Sequence, residues 1–403
     1  MPKQCDYLIY NVQIATMLDG SEPYGTIENG CVAIDNGSII YVGEMDNCEV
    51  TPLTKFDGGG NWLLPGFVDC HTHLVYAGDR ANEFEMRLNG QSYQQIAEQG
   101  GGIKSTVNAT RKASPEALLA SAIARATALI HEGVSTLEVK SGYGLDLDTE
   151  IKMLQVANTL GTELPLNIRT TYLGAHALPL EYAGDPEGYI DFVCHQVMPK
   201  VSELSLADSV DVFCESIGFS PAQCERVFKT AKNLGLNVKA HVEQLSDLKG
   251  AKLACDYHAL SVDHIEYLTS EDVVYLKQSN TVAVLLPGAF YFLKETQKPP
   301  IEALRAQQVP MAVATDLNPG SSPIASILTC ANMACVLFEL TPEEALKGIT
   351  VHAAKALGLD DRGIIKAGCR ADLCLWDISH PAQLVYGINQ YNPIKRWFGG
   401  QLV

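Results

Sequence analysis

From about residue 63 to residue 360 the chain alternates short β-rich runs with amphipathic stretches of helical spacing. The β-rich runs cover residues 63–70, 134–139, 167–173, 209–214, 237–240, 261–263, 281–286 and 310–315. Between them lie stretches such as 115–132, rich in Ala, Leu and Ile at helical spacing, and 221–234. Eight β/α repeats over about 300 residues predict an α/β fold, a (β/α)8 TIM barrel, rather than an open sheet. The two ends of the chain differ from this middle. Residues 7–14 and 31–42 read as short strands, the second turned back by Asp35-Asn36-Gly37, a tight hairpin signal. Residues 371–376 and 396–403 read as strands again, with Gly399-Gly400 as a turn. A few short strands cannot bury a core on their own. The ends are therefore expected to meet in one small β-sandwich-like domain, residues 1–62 with 363–403, and the barrel, residues 63–362, is inserted between them.

Composition narrows the partners. The 403 residues carry 29 Lys plus Arg against 47 Asp plus Glu, a formal charge of -18, and 47% of them are hydrophobic. So acidic a surface repels phosphate backbones and anionic lipid, so neither nucleic acid nor a membrane is an expected partner; a small anionic substrate fits if a local Arg receives it. The most apolar stretch, 282–293, is broken by Pro287 and Gly288 and falls short of the roughly 18 residues of a spanning helix. Residues 1–20 show no basic region followed by an apolar run, so no signal peptide is read there and a cytoplasmic protein is expected. The 12 cysteines are scattered, without the spacing of a zinc or redox pair, and read as free thiols in a reducing compartment.

In a barrel of this kind chemistry collects at the C-terminal ends of the strands, and those ends are polar here. The first strand leads into Asp69-Cys70-His71-Thr72-His73, the second into Glu138 and Lys140 before Ser141-Gly142-Tyr143-Gly144, the third into His176 and the fourth into Glu215. The fifth ends in His241-Val242-Glu243-Gln244, the sixth in His264 with Glu266, and the eighth in Asp316-Leu317-Asn318. His71 and His73, two apart on an extended strand, project from one face and can share a metal. Adding His241 and Asp316 gives three imidazoles and a carboxylate, a donor set suited to Zn or Fe(II). Cys70, between them, should face away into the barrel wall by alternation.

The segment from Leu64 to His73 (LPGFVDCHTH) resembles the metal-binding first strand of the amidohydrolase superfamily, and TVHAAKALG at 350–358 and GIIKAGCRADLCLWD at 363–377 resemble its last helix and its return to a small β domain. Within that superfamily the chain is most similar to the imidazolonepropionase family. The resemblance rests on HLVYAGDRANEFEMR (73–87), GGGIKSTVNATR (100–111), EVKSGYG (138–144), TYLGAH (171–176), VKAHVEQLS (238–246) and ATDLNPGS (314–321), and so runs nearly the whole length of the chain.

The resemblance implies that His71, His73, His241 and Asp316 hold one Zn(2+) or Fe ion per chain. Relatives with two metals use a carboxylated Lys on strand four, where this chain has Cys214-Glu215; Lys140 belongs to strand two and is expected to pair with a strand-end carboxylate such as Glu138. The implied reaction is hydrolysis of the cyclic amide of 4-imidazolone-5-propanoate to N-formimidoyl-L-glutamate in histidine degradation. Asp316 is then both ligand and proton acceptor, and His264 either orients the water and stabilises the developing charge or positions Asp316. Arg80 forks the propionate carboxylate. Tyr143 and His176 border the ring, Tyr93 adds a contact, and Asn318, Gly320 and Ser321 form the loop closing the site. Relatives are often homodimers, and oligomeric state stays open here.

One position departs from the pattern. Related deaminases and some imidazolonepropionases place a Glu three residues after the strand-five His, where this chain has Gln244 beside Glu243. A Gln amide cannot act as an acid but can bond both donor and acceptor atoms of an imidazolone ring. Gln244 is therefore read as a recognition residue, with Glu243 on the opposite face by alternation. The same substitution weighs against the main alternative, an aminohydrolase of a cytosine-like or guanine-like ring. A barrel without activity, serving as a binding protein, would be expected to lack ligands, and all four are present.

Overall fold

The computed structural model describes residues 3–91 and 101–403. Eight parallel strands pair in chain order: β6 (Phe67–Asp69), β7 (Val134–Lys140), β8 (Asn167–Ala175), β9 (Ser209–Cys214), β10 (Asn237–Val242), β11 (Ser261–His264), β12 (Val282–Leu285) and β13 (Met311–Val313). The ring is closed just beyond the strand ends. Asp316 N donates to His71 O at 3.0 Å, His73 N donates to Leu317 O at 3.0 Å, and Thr72 and Leu317 form a parallel bridge. The backbone bonds that close the barrel thus also bring His71 and His73 beside Asp316.

Alternation along the strands separates wall from interior. Leu137, Val139, Val210, Val212, Val238, Ala240 and Val262 join the apolar layer. Their neighbours Glu138, Lys140, Asp211, Lys239 and Asp263 are fully buried on the other face, inside the barrel. Cys70 joins Val68, Val282, Val284 and Ala312 in the wall, the direction expected of it. Helix Pro115–His131 shows how the outer ring is built. Ser114 caps it by accepting from Ala117 N at 3.3 Å, Pro115 opens it, and Leu118, Ala122, Ala126 and Leu129 form its buried stripe.

The ends of the chain meet in a second eight-stranded sheet. It contains β1 (Lys3–Ala15), β2 (Thr26–Asp35), β3 (Ser38–Glu44), β4 (Val50–Asp57), β5 (Trp62–Pro65), β14 (Leu373–Trp376), β15 (Lys395–Phe398) and β16 (Gln401–Leu402). Although β15 lies three strand spacings from β1, about 14 Å along a flat sheet, the Trp397 ring packs 6.3 Å from Tyr7 and 5.2 Å from Phe56. The sheet therefore curls over a core that includes Ile9, Val32, Leu63 and Leu373.

The expected strand 63–70 is two strands. Residues 62–65 pair with β1 and β14 in the terminal sheet, whereas β6 starts at Phe67 in the barrel. Gly66 lies at the crossing, where an added Cβ would sit 2.4 Å from Ser135 Oγ. A side chain there would push the two sheets apart. Phe67 stacks on Trp376 of β14 at 5.5 Å, so the barrel and the terminal sheet share a packed seam.

Candidate active site and metal centre

His71, His73, His241, His264 and Asp316 converge at the C-terminal mouth of the barrel. His71 Nε2 lies 3.4 Å and His73 Nε2 3.5 Å from Asp316 Oδ1, and His241 Nε2 lies 3.4 Å from His73 Nε2. The His264 ring is 5.4 Å from His241 and 5.9 Å from His71. All five residues are buried.

Three features fit a cation. His71 Nε2 is a buried nitrogen with no hydrogen-bond partner. The other nitrogen of two of the rings is occupied: Asp263 Oδ2 lies 2.6 Å from His71 Nδ1, and Asp211 Oδ1 lies 3.1 Å from His241 Nδ1. A carboxylate on Nδ1 fixes the tautomer that leaves the Nε2 lone pair for a metal. Finally, His71, His73 and Asp316 offer donor atoms within 4.8 Å of one another, as do His71, His241 and His264. Burial holds His71, His73 and His264 neutral, well below the usual imidazole range, and pushes the Asp316 carboxyl up to about 7.

The strand ends leave extended geometry to aim these groups. His264 has φ 79, Asp316 φ 51 and Glu243 φ 47, left-handed conformations that are uncommon for such side chains and that gather at functional sites. At Glu243 the turn sends the carboxylate away from the cluster, to accept from Gly250 N at 2.7 Å and Ala251 N at 2.8 Å. The direction expected for Glu243 is observed, but its cause is this turn rather than alternation, since β10 has ended at Val242. Gln244 remains at the cavity wall, its backbone N–H donating to Glu215 Oε1 at 2.6 Å.

A cleft leads away from the cluster. Its inner part, about 340 Å³, is lined by His73, His241, His264, Asp316 and Gln244, and its outer part, about 250 Å³, by Arg80, Glu83, Arg87 and Gly320. Tyr143, His176, Asn318 and Ser321 border both. His176 stacks on His73 at 5.3 Å, with its Nδ1 2.9 Å from Gly142 O. Arg80 Nε donates to Thr106 Oγ1 at 3.2 Å. Gly320 passes so close that a Cβ there would lie 2.5 Å from Arg80 Nη1. The Asn318 amide organises its own loop: Oδ1 accepts from Gly320 N and Ser321 N, both at 2.8 Å, and Nδ2 donates to Asp316 O at 2.7 Å. Tyr93 lies outside the described residues.

Three groups at the site escaped the sequence reading. Asp211 and Asp263 hold the imidazoles described above. Glu150 accepts from Gly142 N, Gly144 N and Leu145 N at 2.8–3.0 Å and so shapes the loop that carries Tyr143. The signal available for Asp211 was a single acid on the inward face of a mostly apolar strand; Asp263 stands between Val262 and His264 in a strand with little apolar pattern to set it off.

Barrel, terminal sheet and a buried cluster of four histidines and one carboxylate at the strand ends together fit the amidohydrolase class, and the family model described as amidohydrolase family matches residues 62–403. The imidazolonepropionase of Pseudoalteromonas atlantica is 59% identical over the full length of both chains, and that of Alteromonas mediterranea is 58% identical, again over both full lengths. The chain belongs to the amidohydrolase family, among its imidazolonepropionases. Among solved structures, the 5-methylcytosine deaminase of Klebsiella pneumoniae liganded with 5-fluorocytosine shares the fold with a TM-score of 0.76 at 14% identity, covering 98% of this chain and 97% of its own. A zinc-bound adenosine deaminase from Xanthomonas campestris does so with a TM-score of 0.71 at 19% identity, covering 100% of this chain and 93% of its own.

Proposed function

We propose that the protein is the metal-dependent hydrolase that opens the ring of 4-imidazolone-5-propanoate in histidine degradation, releasing N-formimidoyl-L-glutamate. The observation that carries this reading is the cleft itself, which joins a buried metal-ligand cluster at one end to the Arg80 guanidinium at the other. That is the shape of a substrate with a cyclic amide and a propionate tail. The full-length relatives bearing the same activity in their names support it.

His71, His73, His241 and Asp316 would hold one ion, Zn(2+) or Fe. When bound, it polarises the ring carbonyl and brings the pKa of a water toward about 7. Asp316 takes the proton of the attacking water and returns it to the ring nitrogen as the C–N bond breaks. His264, across the cluster, orients that water and donates a hydrogen bond to the tetrahedral oxygen as its charge develops. Tyr143 and His176 flank the ring, Gln244 bonds its edge, Ser321 and Gly320 close over it, and Arg80 forks the carboxylate. Asn318 contributes by shaping that closing loop. A single metal agrees with the end of strand four, where Cys214-Glu215 offers no Lys for a bridging carbamate, and the Lys140 ammonium of strand two lies 2.7–3.7 Å from three carboxylates instead.

Among the described residues no helix is long and apolar enough to cross a membrane. All twelve cysteines are free, which suits a cytoplasmic setting where thiols stay reduced.

The test is the loss of ultraviolet absorbance of fresh imidazolonepropionate with purified enzyme, with and without chelator and added Zn(II) or Fe(II). Metal-dependent loss with appearance of N-formimidoylglutamate is expected. Decay no faster than the spontaneous rate, in protein carrying one metal per chain, would sink the assignment and favour a ring aminohydrolase, screened by ammonia release.

Metal uptake should also report the ligand set through pH. His71 and His73 are already neutral, whereas Asp316, raised to about 7, must lose its proton to bind a cation. The proton is bound below that value and absent above it, so the affinity for Zn(II) in chelator competition is expected to fall about tenfold per unit as pH drops below 7 and to level off above it. An affinity that stays flat on acidification over the whole range in which the protein remains folded would remove Asp316 from the ligand set.

A further inference from the structure

We propose that Lys140 is a positioning residue for the metal centre, clamping from below the two aspartates that orient His71 and His241. Its Nζ donates to Asp211 Oδ2 at 2.7 Å and lies 2.9 Å from Glu138 Oε2 and 3.7 Å from Asp263 Oδ2, with every one of these side chains fully buried. Asp211 turns its other oxygen to His241 Nδ1 at 3.1 Å, and Asp263 reaches His71 Nδ1 at 2.6 Å. A single ammonium group thereby links the supports of two imidazoles that arrive from distant parts of the chain, one just beyond β6 and one on β10. The pairing with Glu138 expected from sequence is only one of its three contacts.

The chemistry of the clamp follows from what an aspartate does beside a histidine. Besides imidazole and lysine, Asp211 Oδ1 accepts from Val212 N at 2.7 Å and Asp263 Oδ1 from Ser261 Oγ at 2.5 Å, but these partners are neutral, and a buried carboxylate without a cation competes for the Nδ1 proton. A cation on the same carboxylate fixes its plane and satisfies part of its charge, so the proton stays on Nδ1 and the Nε2 lone pair stays aimed at the cluster. The neighbouring Lys239 provides an internal comparison. Its Nζ lies 2.9 Å from Glu138 Oε1 and donates to Cys70 O at 2.9 Å; among the described residues it makes no ion pair with Asp211 or Asp263. Lys239 therefore shares the buried charged layer and its charge acts on Asp263 from there, but it bonds neither support of the ligands.

This inference rests on the ligand set proposed above, and the experiment separates the two. Metal-free Lys140→Met is checked for folding by circular dichroism and thermal unfolding, and its Zn(II) affinity is then measured by chelator competition and its Co(II) adduct by visible absorption. The expected result is a weakening of about 10- to 100-fold, the usual consequence of losing an outer support of a metal ligand, with a changed Co(II) spectrum. Lys239→Met should stay within about threefold of the parent with an unchanged spectrum. Where Lys140→Met does not fold, the double variant Glu138→Gln with Lys140→Met keeps the net charge of the layer and is expected to show the same loss, while Glu138→Gln alone shows none. A folded Lys140 variant with parental affinity and spectrum would overturn the proposal. An equal loss in Lys239→Met, or collapse of both Lys140 variants, would also overturn it, making the layer a matter of stability alone. His71→Ala and His241→Ala are measured alongside: if either kept its metal, the ligand set would fail, whatever Lys140 does.

Discussion

Asp316→Asn should lower kcat for imidazolonepropionate by on the order of 10³- to 10⁴-fold at saturating metal, the upper range for losing a positioned proton-transfer group. The substitution keeps the shape of the side chain and removes its charge and its ability to accept a proton. Both matter at this position. Asp316 Oδ1 lies between two imidazole nitrogens, 3.4 Å from His71 and 3.5 Å from His73, and the residue is buried at the inner end of the cleft. An amide there supplies no negative charge to balance a cation and no base for the water. The two losses are separable, because metal affinity is read by competition and the chemical step by turnover when the metal is saturating. The backbone is expected to hold, since Asp316 N donates to His71 O at 3.0 Å whatever the side chain carries. Turnover within about tenfold of the parent, with metal bound, would show that another group moves the proton, and His264 would be the next to vary.

What the sequence made legible and what it concealed divide along physical lines. Inward-facing polar residues at the ends of apolar strands stand out because nothing in packing calls for them, which is why His71, His73, His241 and Asp316 were visible together. Boundaries inside one apolar run do not stand out. Apolar residues stand on both sides of Pro65-Gly66 in the stretch 63–68, so its pattern could not show that Gly66 passes the chain from one sheet to another; that depends on Ser135, remote in sequence. Strand β4 was missed for the opposite reason. It is held by backbone pairing to β1 while its side chains, Leu53 among them, are largely exposed, so no hydrophobic period marks it. The supports of the metal site were hidden by distance: Asp263 reaches His71 across 192 residues, and an isolated acid in a strand names no partner. Gln244 and Glu243 illustrate a right direction reached for a different reason, because a left-handed turn rather than strand alternation separates them.

Arg80→Met should raise KM by roughly 10- to 100-fold with kcat changed only a few fold, corresponding to the loss of a charged hydrogen-bonded pair of about 1.5–3 kcal/mol. Arg80 Nε is committed to Thr106 Oγ1 at 3.2 Å, and among the described residues no hydrogen bond engages its two Nη groups. The guanidinium is thus braced along one edge with its fork open at the outer end of the cleft, where Gly320 leaves it room. On a chain of charge -18 an anion needs such a receptor, because the field of the remaining surface opposes its approach. A contact with the tail, remote from the breaking bond, is made equally in ground and transition states, which is why the loss should appear in KM. Arg80→Lys keeps the charge without the fork and should recover only part of the affinity. The decisive comparison uses an imidazolone whose side chain ends in a methyl group instead of a carboxylate. The parent enzyme should handle this analogue about as poorly as Arg80→Met handles the natural substrate, and the variant should lose nothing further with it. If Arg80→Met instead depressed both substrates alike, the arginine would act through the loop of Asn318 and Gly320 rather than on the carboxylate, and the anion would have to be received elsewhere in the cleft, with Arg87 the other cation on its wall among the described residues.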